Sequence, residues 1–335
     1  MKRLTIDTGP FEINGLPWYN HNGKRFWRLP YEIENSVSRK LWEISQFTTG
    51  ARITFCSDAS TLGIHVKFRG PGRFEDAGME RGFDLYADGR FYSYIWCSFK
   101  ETEYESIFFE NTPRKLRQYA IYMPSHAEIE TISIFFDDDA EVMPPAAFSV
   151  PKPIVFYGTS VTAGTRACRS GLSYEAVLAR KLDVDFVNLG FGGHGKGDKP
   201  VARAISEIDA ACYVLDFGPN NETTRELEAV YYPFISEIRL HRPEIPIILT
   251  TPPLALYEIW DKEGYEIQQE KRRIIRDGYK KCVDNGDKNI HLVEWLDLMS
   301  LADGEGYLDG IHPNDLGFYE MGNFLAGKIK GVLGL

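Results

Sequence analysis

Pro153-Ile154-Val155-Phe156-Tyr157-Gly158-Thr159-Ser160 carries an apolar, strand-like run straight into a glycine turn that ends on a hydroxyl. Four more runs of this kind follow, at residues 184–189, 212–217, 246–250 and 290–295. Between them lie segments with helical spacing, at residues 174–182 (with Ser173 as a plausible N-cap), 200–208, 227–240 and 267–283. Strands alternating with helices of this length imply βα units and a doubly wound, five-stranded parallel sheet of the three-layer, flavodoxin-like kind. In such a sheet the carboxyl ends of the strands share one rim, where ligands bind. Polar residues follow four of the five strands: Gly158-Thr159-Ser160, Gly192-Gly193, Gly218-Pro219-Asn220-Asn221 and Asp309-Gly310-Ile311-His312-Pro313.

The first half reads differently. Runs at residues 51–56, 62–68, 82–86, 91–96, 118–123 and 129–136 are short, aromatic and β-branched. Asp88-Gly89 between two such runs signals a hairpin, because both residues tolerate positive φ. No long helical period precedes residue 147, so an all-β sandwich of jelly-roll type is expected over residues 1–148, followed by an α/β/α domain over residues 149–335. The proline-rich stretch 142–153 is the join.

Composition narrows the partners. The 335 residues carry 38 Lys+Arg against 48 Asp+Glu, a net charge of −10 with no basic cluster, which disfavours nucleic acid. No apolar run approaches the length of a membrane span, and the first residues lack the apolar core of a signal peptide. A cytoplasmic protein with no membrane partner is expected, although a leader removed beforehand would leave the same sequence. Five scattered cysteines without a Cys-x-x-Cys pair argue against a disulfide framework and against a paired-cysteine zinc site. The oligomeric state is not legible.

The rim residues suggest acyl transfer. A neutral serine is a weak nucleophile and needs a base within hydrogen-bond reach, and His312 is the candidate for Ser160. Asp309 precedes that histidine by three residues, near enough to hold one imidazole nitrogen, fix the tautomer and stabilise the imidazolium. Equally, Asp309 could cap a helix over residues 315–332 and leave His312 without a role. The N–H groups of Ser160 and Gly193 and the Asn220 amide would supply oxyanion donors, although Asn220 also reads as a turn residue after Pro219.

These four blocks, in the chain order Ser, Gly, Asn, His, resemble those of the SGNH (GDSL-like) hydrolases. Ser160 matches the nucleophile of the Gly-Asp-Ser block, Gly193 the oxyanion glycine, Asn220 the asparagine of Gly-x-Asn-Asp, and Asp309 and His312 the Asp-x-x-His pair. Gly82-Phe83-Asp84-Leu85-Tyr86 resembles the sandwich that precedes the catalytic domain in a bacterial, carbohydrate-esterase-like subset. Thr159 and Asn221 depart from the pattern, each standing where the family has aspartate. The resemblance implies a serine esterase that removes short acyl groups, acetyl above all, from a sugar or oligosaccharide. No metal or organic cofactor is expected. Tyr157, Phe191, Trp295 and Tyr307 are the expected sugar-stacking platforms.

Two rival readings remain. Gly190-Phe191-Gly192-Gly193-His194-Gly195 satisfies a dinucleotide fingerprint, with Asp209 at ribose-binding distance, but it follows the second strand and Asp209 precedes the third. Alternatively, the aromatic-rich sandwich, with Trp18, Trp27, Tyr92, Tyr94 and Trp96, binds carbohydrate without turnover.

Overall fold

The computed structural model describes residues 1–72, 77–298 and 303–335. The chain forms two compact units. One comprises Met1–Arg28, Gln46–Phe148 and Cys168–Gly171; the other comprises Leu29–Ser45, Ser149–Ala167 and Leu172–Leu335.

In the first unit, strands β1 (Lys2–Thr5), β2 (Glu12–Asn14), β3 (Arg52–Ser57), β4 (Leu62–Phe68), β5 (Phe83–Ala87), β6 (Arg90–Ile95), β7 (Glu103–Phe109), β8 (Arg117–Tyr122), β9 (Ile129–Phe136) and β10 (Val142–Met143) form two antiparallel sheets. One runs β1-β9-β4-β7 and the other β10-β3-β8-β5-β6, with β2 paired to β3. Their inner faces share one apolar core, in which Phe55 of β3 meets Phe136 of β9 edge-on at 5.7 Å between ring centres. The β5–β6 hairpin turns at Asp88 (φ 49°) and Gly89 (φ 75°), the two left-handed positions that Asp-Gly accommodates.

The second unit holds β11 (Val150–Gly158), β12 (Val184–Gly190), β13 (Cys212–Asp216), β14 (Ile247–Thr250) and β15 (Ile290–Val293), all parallel in the order β12-β11-β13-β14-β15. Order reverses beside β11, so the first βα turn stands at the switch point where doubly wound sheets bind ligands. The longer helices are α3 (Tyr174–Leu182), α4 (Lys199–Glu207), α5 (Thr224–His241), α6 (Lys262–Asp284) and α7 (Asp315–Leu333). Helix α3 packs on α7, α4 on α5, and α5 on α6, giving the two outer layers. Caps match the local sequence: Ser173 accepts from the Ala176 N–H, and Thr223 and Glu226 form a reciprocal capping box at α5.

Several elements escape the periodicity. A 3₁₀ turn at Tyr31–Ser36 and helix α1 (Arg39–Ser45) lie in the second unit, and α2 (Ala77–Arg81) in the first; each is too short to show a helical period. β15 stops at Val293, and Trp295 begins a 3₁₀ turn instead of ending a strand. Among the described residues no helix is long and apolar enough to cross a membrane.

Candidate active site

The turn after β11 is built to present Ser160. Gly158 allows a close approach, since a Cβ there would lie 2.0 Å from the Thr162 hydroxyl. That hydroxyl accepts from the Thr159 N–H at 3.1 Å and donates to the buried Asp216 carboxylate at 3.2 Å. Asp216 also accepts from the Tyr174 hydroxyl at 3.0 Å, from the Thr250 hydroxyl, and from the Trp295 indole N–H at 3.2 Å. One carboxylate at the end of β13 thus ties the Ser160 turn to α3, β14 and the segment after β15. The signal in the sequence that could have found it is the lone carboxylate in the apolar run 212–217.

Ser160 and His312 share a hydrogen bond of 2.9 Å between Oγ and Nε2. The other ring nitrogen, Nδ1, is 2.9 Å from Asp309 Oδ2, while Asp309 Oδ1 accepts the N–H groups of Ile311 (3.0 Å) and His312 (2.8 Å). Burial alone would raise the Asp309 pKa. The His312 N–H, the His312 ring and the Ile311 N–H outweigh it and bring the value down to about 2. Asp309 does not cap the following helix: Asn314 does, accepting from the Gly317 N–H. The Asp309–His312 turn is anchored by the Leu256 N–H on Gly310 O at 2.8 Å and by the Leu308 N–H on His312 O at 2.9 Å. Leu256 is held in turn by a fully buried ion pair, because Arg272 binds both oxygens of Glu258 (2.7 and 2.8 Å) and the carbonyls of Pro252 and Pro253. Arg166, in left-handed backbone at φ 83°, brings its guanidinium to 3.9 Å from Asp309.

The loop after β12 links the two other expected oxyanion residues to Ser160. A Cβ on Gly192 would stand 3.4 Å from the Ser160 Cβ, so the backbone of that loop passes close to Ser160. Next to it Gly193 is exposed at φ 72°, a conformation that favours glycine. The Asn220 amide donates one N–H to Phe191 O at 3.2 Å and keeps a second N–H for another acceptor.

The expected sugar platforms require correction. Tyr157, Phe191, Trp295 and Tyr307 are all buried. Tyr157 stacks on Phe234 at 4.6 Å, Trp295 packs against Tyr174 and Phe324, and the Tyr307 hydroxyl donates to Leu254 O. A parallel sheet is covered on both faces, so aromatics at its strand ends fill the core and do not face a ligand. Asp209 also fails the nucleotide reading: it pairs with Lys152 at 2.9 Å at the amino ends of the strands, opposite the rim.

Residues 151–330 match the GDSL-like Lipase/Acylhydrolase family, and residues 4–142 match the N-terminus of the SGNH-hydrolase type of esterase. Among curated proteins there is no match. The fold is similar to that of a Bacteroides ovatus protein assigned as a GDSL-like lipase (23% identity, 99% of this chain and 98% of that chain, TM-score 0.89). It is also similar to the salicylyl-acyltransferase SsfX3 from a tetracycline biosynthetic pathway (18% identity, 100% and 98% covered, TM-score 0.82). A third similar fold is a family two carbohydrate esterase from Clostridium thermocellum in complex with cellohexaose (18% identity, 85% and 93% covered, TM-score 0.66). The chain belongs to the GDSL-like (SGNH) acylhydrolases, with an α/β esterase domain preceded by that family's β-sheet N-terminal region.

Proposed function

We propose that the protein hydrolyses short-chain acyl esters, acetyl above all, on sugars or oligosaccharides. The observation that carries this reading is the continuous relay Ser160 Oγ to His312 Nε2, and Nδ1 to Asp309 Oδ2, each link 2.9 Å. His312 takes the Ser160 proton as Oγ attacks the ester carbonyl. The new oxyanion is received by the N–H groups of Ser160 and Gly193 and by the Asn220 amide. Asp309 stabilises the imidazolium, which then protonates the departing alcohol. Water, deprotonated by His312, attacks the acyl-enzyme; collapse of the second tetrahedral intermediate releases the carboxylic acid and returns the proton to Ser160.

Two considerations support the substrate class. Among the described residues, the connections from strand to helix in the second unit hold no element longer than a 3₁₀ turn, and so no helical lid over a long acyl chain. The other is an analogy: a family two carbohydrate esterase and an acetyl xylan esterase are among the proteins of similar fold. Activity on p-nitrophenyl esters is expected to fall steeply from acetyl to octanoyl, with acetate released from acetylated saccharides. A preference for long chains, or acetylated sugars left intact by an enzyme that cleaves the aryl acetate, overturns the substrate assignment and spares the catalytic one.

A further inference from the structure

Helix α6 turns a stripe of residues into the unit, among them Gly264, Gln268, Lys271, Ile275, Gly278 and Cys282, spaced three or four apart. Lys271 is the anomaly in that stripe. Its side chain is buried, at a cost in rotamer entropy and ammonium hydration. The charge is not spent on a carboxylate hydrogen bond. Lys271 Nζ donates instead to Pro219 O at 3.0 Å and to Asn221 O at 2.8 Å, the carbonyls on either side of Asn220.

That loop leaves β13 through Gly218, whose φ of 147° is one that side-chain-bearing residues rarely adopt. Its other ties are few: the Asn221 N–H bonds to Gly218 O at 3.2 Å, the Asn221 amide to Lys196 O at 3.0 Å, and the Asn220 amide to Phe191 O at 3.2 Å. Lys271 is the group that draws both flanking carbonyls to one point, and with them it sets the direction in which the Asn220 side chain leaves the backbone. Burial lowers the Lys271 pKa from the ordinary lysine value, and Glu226, in the capping box of α5, offsets only part of that effect.

We propose that Lys271 is a positioning residue for the oxyanion site: its buried ammonium clamps the carbonyls of Pro219 and Asn221 and so aims the Asn220 amide at the developing oxyanion. The inference rests on the esterase reading above, and it makes α6 part of the catalytic apparatus although no atom of Lys271 touches substrate.

The test is a double-mutant cycle on p-nitrophenyl acetate. Lys271→Met and Lys271→Gln are each made in the wild type and in Asn220→Ala, with folding checked by thermal melting. A misplacement of about 1 Å in a catalytic group can cost on the order of 10²-fold, so each Lys271 variant is expected to lose between about 10-fold and 10²-fold in kcat, with KM within about threefold of wild type. In the Asn220→Ala background the same change should cost less than about twofold, because the group being aimed is gone. A purely structural lysine would cost the same factor in both backgrounds. That result in a folded variant, or a kcat within twofold of wild type in the first background, overturns the inference. Should Lys271→Met not fold, Lys271→Gln, which keeps a donor, carries the comparison. An inactive wild type, or activity surviving in Ser160→Ala, refutes the esterase reading and the inference with it, whereas the other two results refute the role of Lys271 alone.

Discussion

Asp309→Asn separates the charge of the relay from its geometry. In the structure Oδ1 accepts two backbone N–H groups and Oδ2 faces His312 Nδ1. An asparagine that keeps its carbonyl at the Oδ1 position preserves both backbone bonds, so the turn holds. Its NH2 then faces Nδ1, which must accept, and the ring proton moves to Nε2, where the serine hydroxyl needs an acceptor. The lost charge adds to this. Two unit charges about 4 Å apart at an effective dielectric of about 20 interact by about 4 kcal/mol. The Asp309 side chain is 38% exposed, so solvent screening leaves roughly half, equivalent to about 30-fold in rate. With the wrong tautomer included, kcat/KM should fall by about 10²–10³, less than the ~10⁴ lost on the same change at a fully buried triad carboxylate. The assay is steady-state hydrolysis of p-nitrophenyl acetate at pH 7, beside a melting curve that shows the fold intact. A kcat/KM within threefold of wild type would show that Ser160 and His312 work as a dyad and that Asp309 only shapes the turn.

Two other perturbations probe the support beneath the site. Glu175 is fully buried on the first turn of α3, and burial, with the nearby Asp216 adding to it, pushes its carboxyl well above the usual range. A raised carboxyl pKa means that the folded state binds more protons than the unfolded one above about pH 4.5, so this group erodes stability as pH rises. Glu175→Gln should therefore raise Tm progressively between pH 5 and pH 8 and leave it nearly unchanged at pH 4; a gain that does not vary with pH would refute the linkage. Arg272→Met strands Glu258 as a buried, uncompensated carboxylate and should cost about 3–5 kcal/mol in urea unfolding. A loss under about 1 kcal/mol would show that the pair does not hold the Leu256 loop.

Much of this molecule was legible because its signals were local. The apolar run into Gly158 and the Asp309-x-x-His312 spacing needed only chain neighbours, and the helix over Tyr174–Leu182 begins at the serine that caps it. β7 was missed because Glu103, Glu105 and their exposed neighbours alternate with half-buried residues at the sheet edge, so the strand lacks an apolar run. Tyr157 and Trp295 were misread for a different reason. Position at a strand's carboxyl end is a one-dimensional fact, whereas the direction of a ring depends on the helices packed over the sheet, here supplying Phe234 and Phe324. Asp216, Lys271 and the Arg272–Glu258 pair stood out only as charges in apolar positions. Their partners lie 14 to 79 residues away in sequence, beyond the reach of any spacing rule.

The most direct test of the account is peptide mapping by mass spectrometry after reaction with a fluorophosphonate, which captures a serine activated by a neighbouring base. A single adduct is expected on the peptide containing Ser160, abolished in Ser160→Ala and greatly slowed in His312→Ala. An adduct on any other residue, or esterase turnover by a protein that leaves Ser160 unlabelled, would contradict the assignment of Ser160 as the nucleophile.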